Sequence, residues 1–122
     1  MKKILLFVVI LLFTINSNIV AQQFIYECNK IQLYEKVNGK FVRTKVDYDK
    51  VQIRLIAPYI LLKTKGIDFS YEVTSIKDYT KDIVIMECKD GVVMMFGEVT
   101  ILLYYQKEDV MYKFSISDYY KL

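Results

Sequence analysis

Beyond residue 22, apolar and polar side chains alternate along the chain with a period of two. Residues 67–74 show this most clearly, since Ile, Phe, Tyr and Val occupy every second position and Asp, Ser, Glu and Thr lie between them. Residues 51–55 and 110–117 alternate in the same way. Such a period places one side of a β-strand against a core and the other side in water. Apolar residues spaced three and four apart are not sustained anywhere, so we expect almost no helix apart from one turn near residues 78–82.

Turn-forming dipeptides separate the alternating stretches. Asn38-Gly39 and Asp90-Gly91 each lie between two apolar stretches, and Lys65-Gly66 directly precedes residues 67–74. Asn-Gly and Asp-Gly favour the two-residue turn in which both central residues have positive φ, and this turn joins adjacent antiparallel strands. The sequence therefore predicts hairpins at these places.

The pattern predicts about eight strands, which is typical of a β-sandwich or a β-barrel. We expect an all-β fold: a small antiparallel up-and-down meander that closes fully or partly into a barrel, because closure removes exposed strand edges. The alternative is an immunoglobulin-like β-sandwich, which would normally carry a core Trp, and the chain has none. Residues 83–86 and 99–105 are apolar on both sides, as in central strands or strands covered by a ligand or partner. Gly97 predicts a bulge or bend inside the long apolar stretch 92–105.

Residues 1–21 have the pattern of a secretory signal peptide. Lys2 and Lys3 give a positive start, residues 4–13 form an unbroken apolar run, and Ala21 fits the cleavage position. The apolar run is shorter than the roughly 20 residues that a membrane-spanning helix needs. We therefore expect cleavage near Ala21 and a secreted or periplasmic product, with one all-β domain over residues 22–122 and no membrane span.

In export, length and hairpin meander, the chain resembles the lipocalin and calycin group of secreted barrels. The Gly-x-Trp signature that marks lipocalins near the first strand is missing. The resemblance therefore implies architecture alone and assigns no site residue.

The charge of the chain argues against nucleic acid as a partner. The formal charge is +3, and removal of Lys2 and Lys3 leaves +1. A nearly neutral domain lacks the field that attracts a polyanion. Bidentate phosphate recognition prefers Arg, and only Arg43 and Arg54 are present.

Two cysteines, Cys28 and Cys88, lie in the exported part. An even count in an oxidising compartment predicts a disulfide, which would add about 4 kcal/mol by the loop-entropy model. The alternative is two buried free thiols that pack as small apolar groups. Cys28 lies too far beyond Ala21 to carry a lipid anchor.

Catalytic and metal-binding chemistry has little support. The chain has no His, which removes the Ser-His and Cys-His nucleophile arrangements and the commonest metal ligand. The neighbouring acids at residues 47 and 49, 78 and 82, and 108 and 109 fall in predicted turns, and none continues into a calcium-binding loop. We expect no enzymatic activity, no cofactor and no metal site.

Tyrosine is over-represented, with eleven residues. Its apolar ring and polar tip suit ligand pockets and interfaces, although Tyr is also simply a favourable residue at half-buried strand positions. If a binding surface exists, we expect it to use Tyr59, Tyr71, Met94, Tyr104 and Tyr112.

These observations favour a non-enzymatic module that binds a small apolar or aromatic ligand inside the barrel or at its mouth. The alternative is a protein-interaction or inhibitor-like module that uses an exposed sheet face or an edge strand. An internal cavity would favour the first, and a large exposed apolar patch would favour the second. An outer-membrane barrel fits less well, because spanning strands need about 9–11 residues each.

Overall fold

The computed structural model describes residues 23–121, so the predicted signal peptide lies outside the described residues. The strands are β1 Phe24–Val37, β2 Lys40–Asp47, β3 Val51–Ile56, β4 Tyr59–Thr64, β5 Ile67–Tyr79, β6 Val84–Cys88, β7 Val92–Phe96, β8 Thr100–Tyr105 and β9 Val110–Lys121. Within this part of the chain the one helical turn is Lys89–Gly91, whereas the turn expected near residues 78–82 is instead the end of β5 and a bend. Across the same residues, no helix has the length and apolar character that crossing a membrane requires.

Eight of the strands form a closed antiparallel barrel. From β3 to β9 each strand pairs with the next along the chain, and β1 pairs with both β3 and β9. The predicted all-β meander barrel is therefore confirmed, and the β-sandwich alternative is not adopted. β2 is an additional strand, which pairs with the second half of β1.

The three predicted hairpin turns form as expected. Both residues of Asn38-Gly39, Lys65-Gly66 and Asp90-Gly91 have positive φ, between 48° and 78°. This is the conformation that a two-residue turn needs to match the twist of its flanking strands. Gly97, in contrast, does not form a bulge inside a strand. It lies in the connection between β7 and β8, where its amide donates a hydrogen bond to the carbonyl of Thr100.

β1 is the longest of the described strands, and it pairs with three others along its length. Its first half pairs with β3 and its second half with β2, while β9 follows it along almost its full length. Two register shifts near Cys28 separate the two halves of the β1–β9 ladder. Such irregularities bend a strand, which a small barrel needs in order to close.

β5 bends in a similar way, and its two halves pair with different strands. Residues 67–72 pair with β4, and residues 73–79 pair with β6 through two register shifts. Among the residues described, no ladder joins residues 67–72 to β6. This half of β5 is joined to the Lys89–Gly91 turn by the ion pair between Glu72 and Lys89, at 3.2 Å.

The predicted disulfide between Cys28 and Cys88 is absent. Both side chains are buried free thiols. Cys28 lies on β1, whose neighbours are β2, β3 and β9, while Cys88 lies on β6 between β5 and β7. Because the two strands are not adjacent in the barrel, the two cysteines belong to different parts of the wall. The alternative of two thiols packed as apolar groups describes the structure.

Candidate functional site: an aromatic cavity at the barrel mouth

The two ends of the barrel are packed differently. We call the end with the β3–β4, β5–β6 and β7–β8 connections the closed end, and the end with the β4–β5, β6–β7 and β8–β9 turns the mouth. The core residues next to the closed-end connections are at most 3 % exposed: Phe24, Leu55, Ile60, Val84, Phe96 and Ile101. At the mouth, Thr64, Tyr105 and Val110 are only half-buried, and Phe69 is 45 % exposed. Val51, Cys88 and Val92 on the mouth side are also buried, so the interior is less completely filled at the mouth than at the closed end.

The mouth contains a cavity of about 470 Å³. This volume lies within the range of about 300–1,000 Å³ that small-molecule pockets occupy. Its lining side chains are Ile31, Leu62, Thr64, Phe69, Tyr71, Leu103, Tyr105, Glu108, Val110, Tyr112 and Phe114. They come from β1, β4, β5, β8 and β9 and from the β8–β9 turn, so the cavity reaches from the interior to the rim of the mouth.

Three tyrosines form a connected group in this wall. The rings of Tyr71 and Tyr105 have centroids 6.3 Å apart, and Tyr105 meets Tyr112 nearly edge-on at 6.0 Å. The hydroxyl groups of Tyr71 and Tyr105 are hydrogen-bonded to each other. Since β5 and β8 are not neighbours in the sheet, this bond links two separate parts of the wall. Burial first, and the hydrogen bond second, raise the pKa of Tyr71, so it stays protonated at neutral pH.

Among the residues described as lining the cavity, Glu108 alone carries a charge. It lies in the turn between β8 and β9, and its carboxylate adds to the burial that raises the pKa of Tyr105. The neighbouring Asp109 is engaged elsewhere, since it accepts a hydrogen bond from the Tyr104 hydroxyl and pairs with Lys36. The cavity is thus apolar and aromatic inside, with hydroxyl groups in its wall and one acid at its rim.

Of the five residues predicted from the sequence, the structure brings Tyr71 and Tyr112 together in this cavity. Met94 points inward but is fully buried in the filled core. Tyr104 lies on the outer side of β8, where its ring meets Phe41 edge-on. Tyr59 is 44 % exposed, because it occupies the β4 position next to the inward-facing Ile60.

The sequence reasoning missed other lining residues. Tyr105 lies two residues after Leu103, and Phe69 lies two residues before Tyr71, so each pair faces the same side of its strand. The alternation therefore predicts that Tyr105 and Phe69 face inward. Glu108 was assigned to a solvated turn, and nothing in its local sequence indicates that this turn borders a cavity. In the described part of the chain, no group of three or more Cys, Asp or Glu residues is arranged to hold a metal ion.

One buried polar atom lies outside the cavity. The Tyr26 hydroxyl has no hydrogen-bond partner among residues 23–121, and its ring packs on Phe96 and Tyr119 toward the closed end. Burial raises the pKa of Tyr26, followed by smaller contributions from Tyr119 and Cys28. This hydroxyl is therefore a local destabilising feature of the core.

Comparison with known proteins adds no homologue to this description. No family model matches the chain, and no curated protein or solved structure matches it either.

Proposed function

We propose that this protein is an exported, non-enzymatic binding module that holds a small apolar or aromatic ligand in the aromatic cavity. The observation that carries the proposal is the contrast between the ends of one barrel. The closed end is packed to exclude solvent, whereas the mouth leaves about 470 Å³ lined mainly by apolar side chains. Binding pockets combine such an apolar lining with a few polar groups that orient the ligand.

The polar groups fit this role. Thr64, the bonded pair of Tyr71 and Tyr105, and Tyr112 provide hydroxyl groups around the cavity. Tyrosine supplies a large ring with little conformational freedom, so it loses little entropy when a ligand binds. The rim of the mouth, where the lining residue Phe69 is 45 % exposed, provides an entrance for the ligand.

Binding can be tested with N-phenyl-1-naphthylamine, a neutral probe whose emission rises in an apolar site. We expect the protein that begins near Gln22 to bind one probe molecule per chain. Tyr71→Ala removes a lining ring and should weaken binding at least threefold, while Tyr59→Ala removes an exposed ring of the same type and should leave binding unchanged. Equal effects of the two variants, or no saturable binding, would contradict the proposal.

Export is the second part of the proposal, and it rests on the leader pattern of residues 1–21. Expression of the full chain in a bacterial host should yield a product in the periplasm or medium whose N-terminus lies near Gln22. Retention of the uncut chain inside the cell would contradict this part.

A protein partner is the alternative function, and one observation favours it. Within the described residues, β2 pairs along one edge only, and the hairpin that it forms with β1 exposes Val37, Phe41 and Val42. A free strand edge can accept an extended segment of another chain. Native mass spectrometry of the purified protein separates the two functions, since it would show a bound small molecule in one case and a second polypeptide in the other.

A further inference from the structure

We propose that the ligand class of the aromatic cavity is an amphipathic cation, meaning an apolar or aromatic body that carries an ammonium group. This inference rests on the proposed function and deepens it. It assigns the apolar body to the interior of the mouth and the ammonium group to the rim, between the tyrosine rings and Glu108.

The charges around the mouth favour a cationic ligand. Glu108 is the one charged side chain in the described lining, and none of the ion pairs within residues 23–121 includes it. Lys36 pairs with Asp109 at 3.8 Å, Lys65 with Asp49 at 2.9 Å and Lys89 with Glu72 at 3.2 Å. Lys107, the residue before Glu108, lies beside Gly91 and is not among the lining residues. Glu108 therefore gives the cavity a negative rim with no competing cation in its lining.

The aromatic side chains that line the cavity also favour a cationic ligand. Five of the lining residues have rings: Phe69, Tyr71, Tyr105, Tyr112 and Phe114. Tyr105 and Tyr112 are inclined at 81°, so they form two walls of a corner, and Phe114 stacks on Tyr112 at 6.4 Å. The face of an aromatic ring is electron-rich and attracts a cation within about 6 Å of its centre, and cages of such rings recognise ammonium groups.

The same features disfavour an anionic ligand. No Lys or Arg lines the cavity among the residues described, so a carboxylate or sulfate would have no cation to pair with. Tyr71 and Tyr105 share a hydrogen bond with each other, which occupies one of their two hydroxyl protons. An anion would also approach Glu108 and be repelled by it. A neutral apolar molecule would occupy the interior but gain nothing from the rim.

We expect the cavity to prefer a cation to a neutral molecule, and a neutral molecule to an anion. Three probes with the same alkyl chain test this preference: decyltrimethylammonium, decanol and decanoate. Titration calorimetry below the aggregation concentration of each probe should give the cation about tenfold tighter binding than decanol, with decanoate the weakest. Raising the salt concentration should weaken the binding of the cation and leave the binding of decanol unchanged. Only the cation interacts with an exposed charge, and salt screens that interaction.

Two pairs of variants identify the groups responsible. Because Glu108 is exposed to solvent, Glu108→Gln should weaken the binding of decyltrimethylammonium by about twofold to fivefold and leave the binding of decanol unchanged. Glu98→Gln, the same charge change in the connection at the closed end, should affect neither probe. Tyr112→Leu should reduce the preference for the cation over decanol, while Tyr112→Phe, which keeps the ring, should preserve it.

The possible failures are distinguishable. If none of the three probes binds while N-phenyl-1-naphthylamine does, the inference is overturned and the binding function stands, whereas failure of all four probes to bind overturns both. If decanol or decanoate binds at least as tightly as the cation, or if Glu108→Gln leaves the cation's affinity unchanged, the inference is overturned while the binding function stands.

Discussion

The closed end and the mouth of the barrel are built from the same strands, yet they are packed to different extents. Phe96 and Phe69 illustrate the difference, since both occupy inward positions of their strands, but Phe96 is fully buried and Phe69 is 45 % exposed. The closed end holds the apolar side chains that stabilise the fold. The mouth holds apolar side chains that the fold does not need to cover, which is the usual condition of a binding site.

The two ends also differ in whether their tyrosine hydroxyl groups have hydrogen-bond partners. Toward the closed end, the Tyr26 hydroxyl is buried without a hydrogen-bond partner among the described residues. At the mouth, the hydroxyl groups of Tyr71 and Tyr105 satisfy each other across the cavity. The division of stability and binding between the two ends can therefore be tested by making equivalent changes at each.

The largest expected difference comes from removing one ring at each end. Phe96→Ala should reduce the free energy of unfolding by about 3–5 kcal/mol, because it leaves a cavity in a filled core. Phe69→Ala should change it by only about 0.5 kcal/mol, because that ring is already partly in water. Urea denaturation followed by circular dichroism measures both. Similar losses from the two variants would mean that the mouth is part of the stabilising core.

The next largest effect is a loss of stability at alkaline pH, which comes from two buried thiols. Burial raises the pKa of Cys28 from 9.0 to about 12 and that of Cys88 from 9.0 to about 11. Above pH 9 the unfolded chain loses these protons while the folded protein keeps them, so the free energy of unfolding falls as pH rises from about 9 toward 12. Below pH 8 these two groups add no pH dependence, since both states are then protonated.

Urea titrations at several pH values measure this loss. Changing both Cys28 and Cys88 to Ala should move its onset up to about pH 10, where Tyr26 takes over, since its ordinary pKa of 10.0 is also raised by burial. A free energy of unfolding that stays constant up to pH 11 would contradict the burial of these groups.

The next contrast is the loss of one hydroxyl at each end. Tyr26→Phe should stabilise the protein by about 1 kcal/mol, since it removes a buried polar group that has no partner. Tyr105→Phe should destabilise it by about 1 kcal/mol, since it breaks a bond and leaves the Tyr71 hydroxyl without its partner. The same Tyr→Phe substitution should therefore raise the stability at one end and lower it at the other. Thermal unfolding of both variants checks this, and equal signs would remove the contrast.

The sequence predicted the strands and turns well because both depend on neighbouring residues. Alternation with a period of two tells which side of the sheet a residue faces, and it correctly grouped Tyr71 with Val73 on β5. The closure of the barrel depends instead on pairing between β1 and β9. Ser117, for example, donates a hydrogen bond to the carbonyl of Glu27, ninety residues earlier. No local pattern specifies such a contact.

The residues that line the cavity were predictable only in part, for a related reason. Parity places Tyr104 and Tyr59 on the outer side, opposite in direction to Leu103 and Ile60, so attention to the alternation would have excluded them. Met94 has the inward parity but lies in the filled core. A period of two specifies the side of the sheet that a residue faces, and it says nothing about position along the barrel axis. Whether an inward residue meets packed core or open cavity is therefore decided by the three-dimensional fold.

The smallest expected effect concerns the two thiols. A disulfide between Cys28 and Cys88 would contribute about 4 kcal/mol, and its reduction would lower the unfolding temperature markedly. Because both are buried free thiols, we expect a reducing agent to leave the unfolding temperature unchanged and a thiol reagent to react fully only after denaturation. Burial keeps both groups protonated at pH 8, and the thiolate is the reactive form. Of the two, Cys88 should react first in the native protein, since it is 6 % exposed against 2 % for Cys28 and lies near Tyr71, which lines the cavity. Mass spectrometry of the partly labelled protein, with Cys88→Ala as the control, would locate the label, and faster labelling of Cys28 would contradict the view that access to the interior is through the mouth.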